Sequence, residues 1–217
     1  PSIMLKRKQN LLLVFLTMWC IALPAQETTK QQHTFSFHTG YGNMLKGTAG
    51  LTNSSKSYER SLSEGVSWDA QYYYRPADIV GIGFLYSGFS SQGSHEEGSD
   101  HLYTHYFAPQ AGIYCLRTKC FFIRLDAGIG ILSYRNYSKV FDKSRRVTAT
   151  SFATNAGLNA TLKITRQWNI EADIQYVASN IHKIYPRYHN ETTTVKFRND
   201  PLSVSRLNLS AGVSFNF

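Results

Sequence analysis

The chain has 217 residues, 17% of them charged and 14% aromatic, with a formal net charge of +9. That length fits one domain and is marginal for two, and the low charge with abundant Tyr and Phe excludes a disordered polyelectrolyte. A basic balance is the generic mark of nucleic-acid binding, but the first segment of the chain points elsewhere.

Lys6, Arg7 and Lys8 form a basic n-region, and Leu11 to Leu23 is an apolar run of signal-peptide length. A membrane-spanning helix needs about 20 apolar residues, more than this run supplies. Residues 1–25 are therefore read as a signal peptide, with Met4 the candidate initiator and cleavage after Ala25 or, as the alternative, after Ala22. Trp19 stands before Cys20 where a lipoprotein signal requires a small residue, so lipidation is not expected. Removing the three bases takes the formal charge from +9 to +6. No second long apolar run follows, which leaves two readings for an exported chain: a soluble periplasmic protein or a membrane barrel. In neither is nucleic acid an expected partner.

Eight segments then alternate with the period of a β-strand. The first is His33 to Asn43, with Phe35, Phe37, Thr39 and Tyr41 on one row. The second is Gly65 to Arg75, with Val66, Trp68, Ala70, Tyr72 and Tyr74. Ile79 to Phe89, Leu102 to Leu116, Cys120 to Tyr134, Thr148 to Ile164 and a seventh strand opening at Trp168 follow. The eighth, Arg206 to Phe217, places Leu207, Leu209, Ala211, Val213, Phe215 and Phe217 opposite Asn208, Ser210, Gly212, Ser214 and Asn216. Pro109 is the weakest feature of the fourth segment, because proline cannot donate to a ladder.

The connections alternate in length. Pro76–Asp78, Arg117–Lys119 and Thr165–Gln167 are tight turns; Met44–Glu64, Ser90–His101, Arg135–Val147 and Ile181–Ser203 are long. Short turns at one end and long loops at the other describe a transmembrane barrel rather than a soluble sandwich. The opposite row supports the same reading, since it carries charges of both signs at mid-strand on several strands. Eight strands enclose an interior that side chains fill. There we expect a charge network of Arg124, with Arg75 or Arg206, against Asp69, Asp126, Glu171 and Asp173, because unpaired buried charges are too costly to keep.

These features together resemble the small eight-stranded outer-membrane barrels, OmpA/OmpX-like, and the related outer-membrane β-barrel domain families. The fold class expected is all-β: an antiparallel up-and-down barrel over residues 26–217 in the cell outer membrane. The resemblance implies that the closing strand, ending on Phe217, is read by the barrel assembly machinery, and that lipid and lipopolysaccharide surround the protein. The loop bases Arg135, Lys139, Lys143, Arg145, Arg146, Lys183 and Arg187 form an expected extracellular basic rim that meets lipopolysaccharide phosphates or a surface ligand.

Cys115 and Cys120 flank a turn, as a candidate cross-hairpin disulfide or as two free thiols. Their spacing does not suit zinc, and no metal or cofactor motif occurs. The catalytic signatures G-x-S-x-G and H-E-x-x-H are also absent. Val177-Ala178-Ser179-Asn180, with His182 and Glu191 beyond, is faintly similar to the His-x-Ser-Asn motif of outer-membrane lipid A deacylases, but Val177 replaces the general base. The first expectation is thus a non-enzymatic structural or surface-binding barrel. A narrow pore and a lipid A-modifying enzyme are the alternatives.

Overall fold

The computed structural model describes residues 32–45, 56–95, 98–140, 143–188, 191–197 and 201–217. The signal peptide 1–25, the loop acids Glu96, Glu97, Asp142 and Asp200, and Arg198 lie outside them. Eight long strands form a closed antiparallel ring: β1 (His33–Met44), β2 (Glu64–Tyr74), β3 (Val80–His95), β4 (Gly98–Arg117), β5 (Phe121–Val140), β6 (Lys143–Lys163), β7 (Trp168–Ile181) and, after four short strands, β12 (Arg206–Asn216). β12 closes the ring between β7 and β1, pairing Val213 with both Ile170 and Phe37. Backbone bonds between His33 and Phe217, 3.0 and 3.2 Å, seal the seam at the chain end. Among the described residues no helix is long and apolar enough to cross a membrane.

The alternation seen in the sequence decides which way each side chain points. Phe35, Ile82, Phe84, Phe107, Ile113, Ile129, Ile131, Phe152, Ile170 and Leu209 face outward and are about half exposed or more, whereas Ser36, His38, Asp69, Gln71, Arg124, Glu171 and Asn208 are buried inside. Apolar outside and polar inside is the arrangement hydrocarbon requires of a barrel. Rings of His33, Tyr72, Tyr74, Trp168, Phe215 and Phe217 cluster near the end of the tight turns.

Pro109 is accommodated by a local break. The β4–β5 ladder passes from Phe107↔Ile131 to Gln110↔Gly128, leaving Ala108 and Pro109 unpaired on that side while Pro109 still faces Phe84 of β3. The missing donor therefore falls where no bond is made.

The long connections differ from the sequence expectation. Ser90–His101 and Arg135–Val147 are mainly strand: β3 pairs β4 as far as His95↔Gly98, and β5 pairs β6 as far as Val140↔Lys143. Met44–Glu64 contains a helix, α1 (Lys56–Ser63), whose Tyr58 donates to Asp100 and whose Leu62 is buried beside Gly93. Ile181–Ser203 holds β8 (Lys183–Tyr188), β9 (Glu191–Thr192), β10 (Val195–Lys196) and β11 (Leu202–Ser203). β8 continues the sheet beside β6, above the point where β7 leaves it.

Candidate functional site

The interior has two layers. In the layer nearer the tight turns, His38 on β1 bridges two carboxylates, with Nδ1 2.6 Å from Asp69 and Nε2 2.8 Å from Glu171. Asn159 donates to Glu171 at 3.0 Å and to Asp173 at 3.3 Å, and Gln71 donates to Asp69 at 3.0 Å. Arg124 is fully buried; its Nε donates to both oxygens of Asp126 at 2.7 and 3.0 Å, its Nη2 to Gln71 at 2.8 Å, and its guanidinium lies 3.8 Å from the centre of the Tyr73 ring. Tyr73 closes this group with a 2.6 Å bond to Asp126. Gly112 makes room for it, since a Cβ there would press on the Asp126 carboxylate and the Arg124 methylenes.

Two of the expected partners sit elsewhere. Arg206 is fully buried but higher in the barrel, donating to Thr104 and to the Ser87 hydroxyl and carbonyl, beside the Phe89 ring. Its bonds go to neutral oxygens rather than to a carboxylate. Arg75 is half-buried at the tight-turn end, with its guanidinium over the Tyr114 ring at 5.7 Å. Sequence reasoning placed His38 on the polar row but missed its bridging role. The signal was its central position between rows that carry Asp69 and Glu171.

The second layer, toward the long connections, is mainly apolar around Arg206. Leu85, Phe89, Leu102, Tyr106, Leu132, Val147, Val177 and Ile181 are among its buried residues. The interior is thus polar below and greasy above, where a polar row had been expected throughout.

Outside, the basic residues divide. The outward face of β4, β5, β6 and β8 carries Tyr103, Arg135, Thr148 and Tyr185 in one cross-strand row and His101, Tyr137, Arg146 and Arg187 in the next. Lys139 stands on the same face, between Ser99 and Ser144. The Arg146 guanidinium lies 5.3 Å from the centre of the Tyr137 ring, and Tyr103 meets Tyr137 edge-on at 6.2 Å. A cleft of about 480 Å³ opens here among Ser99, His101, Tyr137, Lys139, Arg146 and Arg187. Lys143 stands at the hairpin tip, Arg145 falls on the opposite parity, and Lys183 pairs with Lys196 of β10. His101 and Tyr137 join the basic face although the sequence singled out only its lysines and arginines.

The outer membrane protein beta-barrel domain family matches residues 13–217, nearly the whole chain. The chain belongs to this family. No curated protein sequence matches it. Its fold is similar to that of Ail, the attachment invasion locus protein of Yersinia pestis, at a TM-score of 0.52 and 12% identity over 86% of this chain and 99% of that one. Neisserial surface protein A gives 0.51 and 13% over 85% and 97%, and a major outer membrane protein from Thermus thermophilus gives 0.57 and 8% over 85% and 99%. Ail has also been solved in complex with the heparin analogue sucrose octasulfate. Membership and fold together place the protein in the outer membrane as an eight-stranded barrel.

The structure also places the two remaining sequence candidates of this barrel. Cys115 and Cys120 are free thiols, one exposed and one buried. Cys115 keeps the outward parity of Ile113, while Cys120 takes the inward parity of Phe122 and Arg124, so the cross-hairpin disulfide is not formed. Ser179 is buried in a hydroxyl chain: its Oγ lies 2.5 Å from Ser151 Oγ and 3.0 Å from the Phe152 carbonyl, and its amide donates to Ser205 Oγ. Those contacts clasp β6, β7 and the start of β12 where the β6–β7 ladder ends. His182 and Glu191 are not among them. Among the described residues no group of His, Cys, Asp and Glu is arranged to hold a metal.

Proposed function

We propose that the protein is a closed surface barrel that acts by binding anionic partners through its extracellular basic strands. The observation that carries this reading is the filled interior. Arg124, Gln71, His38 and Glu171 occupy one level, and Arg206, Phe89, Tyr106 and Leu132 the next, all with less than 3% exposure. Water has little room along such an axis, and solute transport would require two packed layers to come apart. Function then falls to the outside, where Arg135, Lys139, Arg146 and Arg187 share one face with Tyr103, Tyr137 and Tyr185. Guanidinium groups flanked by aromatic rings recognise sulfate and phosphate by paired N–H donors and charge. The Ail complex with a sulfated sugar supports the choice of probe.

The test has two readouts on the refolded protein. In planar bilayers it is expected to give no unit conductance steps. On immobilised heparin it is expected to be retained at low salt, and retention should drop when Arg135, Lys139, Arg146 and Arg187 are changed to Gln together. Regular conductance steps, or retention unchanged in that variant, would overturn the reading.

A further inference from the structure

At the tight-turn end the barrel interior finishes in aromatic rings. Tyr114 of β4 and Phe122 of β5 are buried there, with ring centres 5.4 Å apart. Gly81 of β3 leaves the space they need, since a Cβ there would lie 3.1 Å from the Tyr73 ring and 3.4 Å from the Tyr114 ring. In a barrel of this kind the tight turns face the periplasm.

Two cations reach these rings from opposite walls. Arg75, just past the end of β2, has its guanidinium 5.7 Å from the centre of the Tyr114 ring, and Lys163, the last residue of β6, has its Nζ 5.9 Å from the centre of the Phe122 ring. β2 and β6 stand four strands apart in the ring of eight, directly across it. An eight-stranded interior is narrow enough for long side chains to meet over the axis. Both residues keep the inward parity of Tyr73 and Thr161, so they point at the lumen mouth and away from the surrounding lipid. Arg117, the last residue of β4, is the third base; it and Arg75 stand close enough to Lys163 to act on its charge, beside the Cys120 thiol.

Lys163 is half-buried, and among the described residues no carboxylate pairs with it. Asp78 is taken by Arg117 at 3.4 Å, and Glu171, one inward row further along β7, takes bonds from His38 and Asn159. Like charges gathered in a partly desolvated mouth repel one another strongly. The aromatic faces offset part of that repulsion but carry no net charge. With Asp78 counted, the group keeps two positive charges in excess, and Lys119 and Arg166 on the adjoining turns add to the same sign.

We infer that the periplasmic mouth of the barrel binds a dianionic oxyanion, inorganic phosphate or a phosphate monoester, seated between Lys163, Arg75 and Arg117. A phosphate monoester carries close to two negative charges at neutral pH, which matches the local excess. A guanidinium takes two of its oxygens side by side, and an ammonium takes the third as a point charge. The ligand comes from the periplasmic solution, because the site looks along the barrel axis. It lies at the opposite end from the extracellular basic face and does not depend on that reading.

The test titrates the refolded barrel in non-ionic maltoside micelles with inorganic phosphate at constant ionic strength, followed by nitrogen-15 NMR. The backbone amides of Arg75, Arg117 and Lys163 and the Nε–H groups of the two arginines are expected to shift and saturate, and acetate or chloride at the same ionic strength should not reproduce the shifts. K163Q is expected to bind phosphate roughly tenfold or more weakly, the usual effect of losing a charge-assisted bond, while K163R keeps most of the affinity. R117Q, at an exposed turn, makes the same comparison where K163Q does not refold. Shifts that fail to saturate, that acetate reproduces, or that K163Q and R117Q leave unchanged would overturn the inference. Saturating shifts confined to Tyr137 and Arg146 would assign the phosphate to the extracellular face and overturn it too. If phosphatidic acid added to the micelles abolishes the response to inorganic phosphate, the ligand is a lipid headgroup and the solute assignment falls.

Discussion

Arg124 and Arg206 are both fully buried, yet they are held differently. Arg124 meets Asp126 through two bonds of 2.7 and 3.0 Å, so removing it leaves an uncompensated carboxylate in the interior. Breaking a buried pair from one side costs about 3–5 kcal/mol, whereas replacing both partners by apolar groups of similar volume is often neutral. Arg206 donates to the hydroxyls of Ser87 and Thr104 and to the Ser87 carbonyl, and neutral groups left without a partner cost about 1–3 kcal/mol. Arg124→Leu should therefore destabilise the refolded barrel more than Arg206→Leu, and Arg124→Leu with Asp126→Leu should recover most of the loss. Urea unfolding followed on heat-modifiability gels measures all three. A double variant no better than Arg124→Leu alone would show that the pair holds the barrel through its shape rather than its charge. The sequence put both arginines on the inward row. It could not tell them apart, because the height at which each meets its neighbours is a matter of register between strands.

Strand pairing explains why two glycines should respond in opposite ways. Gly88 of β3 lies opposite Trp68 of β2, and a Cβ there would strike the indole ring; at Gly157 a Cβ would meet only ordinary contacts of 3.6 Å and beyond. Gly88→Ala should destabilise by about 1–3 kcal/mol through overpacking. Gly157→Ala should be neutral or stabilising by about 0.4–1 kcal/mol, since it restricts the unfolded chain. Chemical unfolding of the two variants side by side checks this, and an unchanged midpoint for Gly88→Ala would mean that Trp68 swings freely in the lipid. All eight barrel strands were legible in the sequence because hydrocarbon on one side enforces strict alternation from Phe121 to Ile131, or from Trp168 to Tyr176. The upper hairpins were not. Above the membrane the environment inverts: outward residues meet water and become Ser133, Arg135 and Lys139, while inward ones pack together as Leu132 and Tyr134. Counting with a fixed apolar parity therefore ends each strand soon after the parity changes, at Tyr134 in β5 and Thr148 in β6, although the ladder runs on to Val140 and Lys143.

That inversion divides the whole molecule into a lower barrel, dressed for hydrocarbon, and an upper one built like a soluble β-protein with an apolar core. The two halves share the same strands, so the position of the boundary decides what the outward basic residues touch. The cost of an outward charge reads that boundary directly: arginine on the lipid face costs about 2–4 kcal/mol at the bilayer midplane and about 0–1 kcal/mol near the interface. Leu125, Ile131 and Ser133 lie on one outward row of β5 and climb from the belt toward the hairpin. Leu125→Arg should therefore cost the most, Ile131→Arg less and Ser133→Arg almost nothing, measured by reversible unfolding in lipid vesicles. A flat series would mean that solvent reaches the lower strands. A Ser133→Arg penalty as large as that at Leu125 would move the hydrocarbon edge up to Arg135 itself.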